Sequence, residues 1–451
     1  MKLTFYGGAG TVTGANYLLE TGGKKILVDC GLEQGEEFAS ETNLRPFSYD
    51  PAEIDAVFVT HAHIDHVGRI PQLVKAGFRG MIVSTPPTKE IAELLLLDSE
   101  HVLGKEADLK GIPHLYTEDD VKEAMMYWQT ARYHAPLSLG DVAVEFYDAG
   151  HVLGSSSILI TAEGKKIVFS GDLGNTPAPL IKPIEYFGDV DYALIESAYG
   201  NRIHEHPEER KNMMEDVIED TVRDGGVLMI PAFAMERTQE MIFELNELVE
   251  GKRIPKTPVY VDSPLAIRLT EVYKKYMNDP DYFNEETIRL AGKGDGIFDF
   301  PGLIQTATKE ESKKINDVPP PKIIIAGAGM SNGGRILHHE VRYLPDPRST
   351  LLIVGYQATG SLGRALQDGA SSVVIEKKTV PVRCHIKTIS GYSAHADQLQ
   401  LMKWAEAMRP HVKKIFVVQG DKEESEALAQ KIKDELVIAA EVPLFGESVV
   451  L

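Results

Sequence analysis

Thiol ligands are nearly missing from this chain: its 451 residues include only two cysteines, Cys30 and Cys384. Two thiols cannot build a disulfide framework or a thiolate zinc cluster, so any metal has to be held by histidine and carboxylate. Long apolar runs are missing too. Runs such as 91–97, itself interrupted by Glu93, are far too short to cross a bilayer, so no membrane partner is expected. The chain opens on the alternating Lys2-Leu3-Thr4-Phe5-Tyr6, without the charged start, apolar stretch and cleavage site of a secretory leader. A cytoplasmic protein is expected. Positive charge is also in deficit, with 47 Lys and Arg against 67 Asp and Glu and a formal net charge of -20. This argues against indiscriminate adhesion to nucleic acid, yet allows a local phosphate site beside a bound dication.

The chain is longer than one hydrophobic core usually serves, so two domains are the starting expectation. Strand-like runs come early, at 16–20, 25–29, 56–60, 81–84, 142–147, 157–161, 166–170 and 192–195, with helical runs at 88–101 and 118–133. From about Asn201 the rhythm becomes a stricter alternation. Helices at 207–222, 237–249 and 264–276 separate apolar strands at 227–230 and 259–262, and further strands follow at 322–326 and 351–355. Such alternation implies a parallel sheet covered on both faces. The stretch 291–321, rich in Gly, Pro and charge, reads as a surface excursion inside this part. After Pro381 the pattern returns to strand, helix, strand, helix at 382–389, 397–408, 413–418 and 423–436.

The densest chemistry lies in His61-Ala62-His63-Ile64-Asp65-His66. His61 and His63 follow the buried strand Val57-Phe58-Val59-Thr60, and their spacing of two points both imidazoles one way, so one metal can take both. Asp65 and His66 then lie within reach of an adjacent metal. Three histidines and an aspartate without a thiolate suit zinc, with manganese second. His151 in Ala149-Gly150-His151-Val152-Leu153-Gly154 and Asp172 in Ser170-Gly171-Asp172-Leu173-Gly174 both sit where a strand passes into a glycine-flanked loop that can close on a site. Gly8 to Gly14 superficially matches a dinucleotide loop, but its spacing is off and a strand follows where a helix is needed.

Together these segments resemble the successive motifs of the metallo-β-lactamase superfamily. Carried over by position, the resemblance implies that His61, His63 and His151 hold a first metal and that Asp65 and His66 hold a second. Asp172 would bridge the two, and Asp29 at the end of Ile26-Leu27-Val28 would orient the site from behind the ligands. Glu196 in Glu196-Ser197-Ala198-Tyr199-Gly200 and His395 in Gly391-Tyr392-Ser393-Ala394-His395-Ala396-Asp397 resemble two motifs of the β-CASP nucleases. So do Pro231 to Arg237, Asp262-Ser263-Pro264 and Gly327 to Arg335. The likeness is to the short bacterial and archaeal relatives of the cleavage-and-polyadenylation endonuclease. It implies an α/β protein: a four-layer αββα metallo-β-lactamase sandwich at 1–200 and 381–451, with a β-CASP domain of mainly parallel sheet inserted at 201–380. One position departs from the pattern. Gln419 stands where RNA-processing members carry histidine, and an amide oxygen is a poor match for zinc beside imidazole. The second ion is therefore weakly held, absent or completed by water.

The implied function is a ribonuclease with two zinc ions, or manganese, cutting single-stranded RNA internally, with 5′-to-3′ exonuclease action as a second mode. Products would carry a 5′-phosphate and a 3′-hydroxyl. Asp65, Glu196 and His395 are the catalytic candidates, His395 as general acid for the leaving 3′-oxygen and Glu196 as the group that orients it. Ser331, Gly333, Gly334 and Arg335 are candidates for phosphate binding at a helix start. Arg237, Arg268 and Arg364 read first as solvated or salt-bridged arginines, and the adjacent His338 and His339 diverge on a helix. A catalytically weakened RNA-binding or scaffold subunit, a small-molecule hydrolase and a DNA nuclease are the alternatives. An inserted lid of roughly 180 residues, the size of a domain, argues against small substrates. A homodimer is the default assembly.

Overall fold

Strict alternation along the strands decides where each layer goes. Ile415 and Val417 of Lys414–Val418 pack with Trp404 and Met408 of the preceding helix and its C-cap and with Leu428 of the following one, whereas Phe416 between them meets Phe5 on another strand, with ring centroids 5.4 Å apart. The computed structural model in which this is seen describes residues 1–34, 41–204, 207–292, 296–355, 357 and 360–451. His206 and residues 293–295 lie outside them. Contacts divide the chain into two units, Met1–Ile203 with His395–Leu451, and His204–Ala394.

The first unit holds two seven-stranded sheets. One runs Ser448–Val450, Lys2–Gly7, Asn16–Thr21, Lys24–Val28, Ala56–Phe58, Met81–Ser84, Trp128–Thr130. The other runs Ala440–Glu441, Lys414–Val418, Tyr192–Glu196, Lys165–Phe169, Ser156–Ala162, Val142–Asp148, Leu137–Leu139. Aromatic pairs join their inner faces: Tyr17 with Phe169 and Phe58 with Phe146, besides Phe5 with Phe416. Each such pair contributes about 0.5–1.5 kcal/mol beyond its buried area. Helix Gln398–Ala407 covers the outer face of the second sheet, while Pro86–Lys110, Ile70–Lys75 and Glu118–Met126 pack on one another beside the first. These are the expected four layers.

The second unit is built on six parallel strands in the order Leu303–Gln305, Val259–Asp262, Lys322–Ala326, Val227–Pro231, Thr350–Ile353, His385–Thr388. The last strand therefore belongs to this unit, although it lies beyond residue 380. Two further expectations need correction. The helix read over 118–133 stops at Met126, because buried Trp128 opens a strand that pairs with Met81–Ser84 and tertiary pairing overrides helix propensity. The 291–321 stretch is no mere excursion: Ile297, Phe298 and Phe300 are buried, and Leu303–Gln305 adds an edge strand.

Parallel strands put their carboxyl ends on one side, and loops there gather the polar residues. Lys24–Val28 and Ala56–Phe58 are parallel and lead to Asp29 and His61. Lys165–Phe169, Tyr192–Glu196 and Lys414–Val418 are likewise parallel and lead to Asp172, Glu196 and Gln419.

Candidate metal centre

Five strand ends thus converge in the first unit. The loops carrying His151 and Asp172 must pack backbone to backbone, which explains a glycine: a Cβ on Gly174 would lie 1.6 Å from the carbonyl oxygen of Gly150. His61, His63, His151 and Asp172 each offer a ligand atom within 4.8 Å of the others. His61 Nε2 lies 3.0 Å and His151 Nε2 3.2 Å from His63 Nδ1, and Asp172 Oδ2 is 3.5 Å from His61 and 3.6 Å from His151. Burial lowers the pKa of His61 and brings that of His63 down to about 3, although Asp172 opposes both shifts. Neutral imidazoles with converging lone pairs beside a carboxylate fit a metal cation.

Residues behind these ligands fix their orientation. Asp29 accepts from the Thr60 amide and hydroxyl, both at 2.8 Å, and its Oδ2 lies 2.7 Å from His66 Nδ1. The Thr60 hydroxyl also lies 3.1 Å from His61 Nδ1, leaving Nε2 for the cluster. Nothing in the sequence singled out Thr60, apart from its place directly before His61. Tyr17, buried in the sandwich, donates to Gln419 Oε1 at 3.3 Å and carried no sequence signal at all.

A second group shares Asp172 and adds Glu196 and His395. Glu196 Oε1 accepts from the Leu173 amide at 2.9 Å and faces His395 Nδ1 at 3.1 Å, while Oε2 accepts from the Ala198 amide. The backbone bridge between Gly174 and His395 and the Ala396 amide bond to Leu173 pin this segment. Burial alone would lower the pKa of His395, but Glu196 and then Asp172 outweigh it and raise it to about 9. Asp172 is pushed up by burial and held well down, on balance, by His66 and His61.

Asp65 and His66 belong to neither group. Burial raises the Asp65 carboxyl to about 6, against the pull of His66. For His66 burial acts downward, and Asp172 and Asp29 on either side raise its pKa overall. Both cysteines are free and buried, with burial pushing their thiols up to about 12 for Cys30 and about 11 for Cys384.

In the second unit the phosphate candidates face inward. The Ser331 hydroxyl donates to buried Glu340, and the Arg335 guanidinium donates to Asp262 and to the carbonyls of Thr306 and Ala307. Gly333 and Gly334 offer backbone alone. Arg237 is buried between Glu236 and Glu240, and Arg364 pairs with Asp368 at the surface.

Comparison with known proteins places this geometry. The model of the metallo-β-lactamase superfamily matches residues 9–86, that of the β-CASP domain 238–366, and that of a Zn-dependent metallo-hydrolase RNA specificity domain 379–443. A protein of Thermus thermophilus named a ribonuclease is 37% identical, with all of both chains covered. The chain belongs to the β-CASP branch of the metallo-β-lactamase superfamily. Archaeal members are similar too: an RNase J-like protein of Methanocaldococcus jannaschii is 31% identical over 98% of both chains. A transcription termination factor of Methanosarcina mazei is 32% identical over 97% of this chain and 70% of that one. A crystal structure of an Enterococcus faecalis protein of unknown function shares the fold, with a TM-score of 0.58 at 14% identity, covering 100% of this chain and 99% of that one. In β-CASP terms the His and Asp group fits a metal cofactor. No helix among the described residues is long and apolar enough to cross a membrane.

Proposed function

We propose that this chain is a metal-dependent ribonuclease that hydrolyses RNA phosphodiester bonds. The observation that carries the reading is the sharing of Asp172 between the His61, His63, His151 group and the Glu196, His395 pair. His61, His63, His151 and Asp172 would hold the metal, zinc by their nitrogen and carboxylate donors and manganese as the alternative. When bound, such an ion lowers the pKa of water and neutralises phosphate charge.

The remaining work falls to side chains. His395, kept protonated by Glu196, gives its proton to the 3′-oxygen as the P–O3′ bond breaks, and Glu196 holds the ring by Nδ1. Asp65, with its carboxyl raised to about 6, accepts a proton from the attacking water. The products are a 5′-phosphate and a 3′-hydroxyl. Single-stranded RNA is the proposed form of substrate, cut internally with 5′-to-3′ trimming as a further mode. Backbone amides of Gly333 and Gly334 remain the phosphate candidates, since the Ser331 and Arg335 side chains are engaged inward. We also propose a cytoplasmic homodimer, with a metallo-β-lactamase domain at 1–203 and 395–451 around a β-CASP domain at 204–394, in place of bounds at 200 and 380.

A weakened scaffold role is favoured only by Gln419, against a complete first group. Labelled RNA incubated with Zn²⁺ or Mn²⁺ tests the proposal beside an Asp172→Ala control. Metal-dependent cleavage by the parent chain alone is expected, and equal cleavage by both would overturn the reading.

A further inference from the structure

We propose that the centre holds a single resident metal, because the side-chain amide of Gln419 stands among the groups that would otherwise bind a second cation. The inference rests on His61, His63, His151 and Asp172 being metal ligands. Gln419 follows Lys414–Val418 at a φ of 50°, a left-handed conformation that residues other than glycine rarely adopt. Its amide N–H donates to the Gly8 carbonyl at 2.7 Å and its carbonyl accepts from the Ser197 amide, so the backbone is held on both sides. The buried side chain reaches Asp172, with Nε2 2.6 Å from Oδ1, and Nε2 also lies 3.0 Å from His66 Nε2.

The partners decide which end of the amide is nitrogen. Oε1 accepts from the Tyr17 hydroxyl, and reversing the group would set oxygen against the Asp172 carboxylate. A side-chain NH₂ has two hydrogens, one for Asp172 Oδ1 and one for the His66 Nε2 lone pair. With Nδ1–H of His66 bonded to Asp29, that lone pair is the only one the ring could give a metal. Faced by the Gln419 amide at 3.0 Å, it is not free for a second ion.

Asp172 is thereby divided. Oδ2 faces His61 and His151, while Oδ1 faces His66 and Gln419. A neutral two-donor group answers the carboxylate oxygen and imidazole nitrogen that a bridged second cation would answer with charge. The residues first assigned to a second ion, Asp65 and His66, do not fit one while Gln419 is seated there.

The test is metal counting on the full chain loaded with excess Mn²⁺ and desalted, with electron paramagnetic resonance on the same samples. One ion per chain with the spectrum of an isolated Mn²⁺ is expected for the parent. Gln419→His should bind two ions with an exchange-coupled spectrum, and Gln419→Glu, nearly the same shape with an anionic ligand, should also gain an ion. Two coupled ions in the parent would overturn the inference, as would both variants staying at one. Counting needs no RNA, which separates the two readings. One ion without RNA cleavage overturns the ribonuclease reading and supports this one, whereas two coupled ions with RNA cleavage do the reverse. No bound metal in any of the three overturns both.

Discussion

Asp172 and Asp262 are both buried carboxylates with histidine beside them, yet they serve opposite ends. Asp262, in the second unit, is saturated with donors: the Thr306 hydroxyl at 2.8 Å, Ser312 at 2.7 Å, Arg335 at 2.7 Å and His339 at 2.8 Å. Oδ2 of Asp172, in the first unit, looks onto the imidazoles of His61, whose pKa burial lowers, and of His151. A buried acid surrounded by donors is a structural knot, because its charge is already answered. One whose free oxygen is turned onto imidazole lone pairs calls for a cation. The donor and acceptor balance, not the residue types, tells the candidate active site from the brace.

The largest break in that comparison should come from Asp172→Ala, which is expected to take metal content below one ion per chain and RNA cleavage to the metal-free background, read by elemental analysis and a cleavage assay. His395→Ala should lower kcat about 100- to 10,000-fold while leaving metal content unchanged; a parallel loss of metal would show that the ring acts as a ligand. Asp262→Ala should do the opposite of Asp172→Ala, keeping the metal but costing about 3–5 kcal/mol of stability by stranding Arg335 and His339, measured by denaturant unfolding. Thr60→Val frees the His61 ring and should weaken metal binding about 10- to 100-fold, read by competition with a chelator.

The smallest effect is one of pH. Burial would raise the Asp262 carboxyl, but His339, Ser312, Arg335 and Thr306 together hold it down to about 2, against an ordinary 3.8. A lowered folded-state value adds stability above the unfolded pKa and loses it as pH falls through the folded one. Acid unfolding should therefore cost the second unit about 2 kcal/mol between those values, and Asp262→Asn should flatten this slope. An unchanged slope would mean that Asp262 is not the titrating group.

Much of this was legible in the chain itself. The crowding of His61, His63, Asp65 and His66 behind an apolar strand announced a metal before any fold was known, since chance rarely packs such ligands without thiolates. Periodicity placed the strands that end at His61, Asp172 and Gln419. It misjudged the end of the helix beginning at Glu118, because Trp128 joins a sheet whose other strands are distant in sequence. It also missed Thr60 and Tyr17, whose roles come from what lies across the sandwich from them.

The sequence alone determined the ligand chemistry, nitrogen and carboxylate without sulfur, and the alternation that builds sheets and helices, because both are local properties of residue type and spacing. Only the tertiary structure decided which lone pairs meet which hydrogens. That Gln419 turns its amide onto Asp172 and His66, while Arg335 turns away from solvent to Asp262, follows from strand ends brought together across long stretches of chain. Hydrogen-bond partnership is a matter of distance and direction, and neither is written in the order of residues.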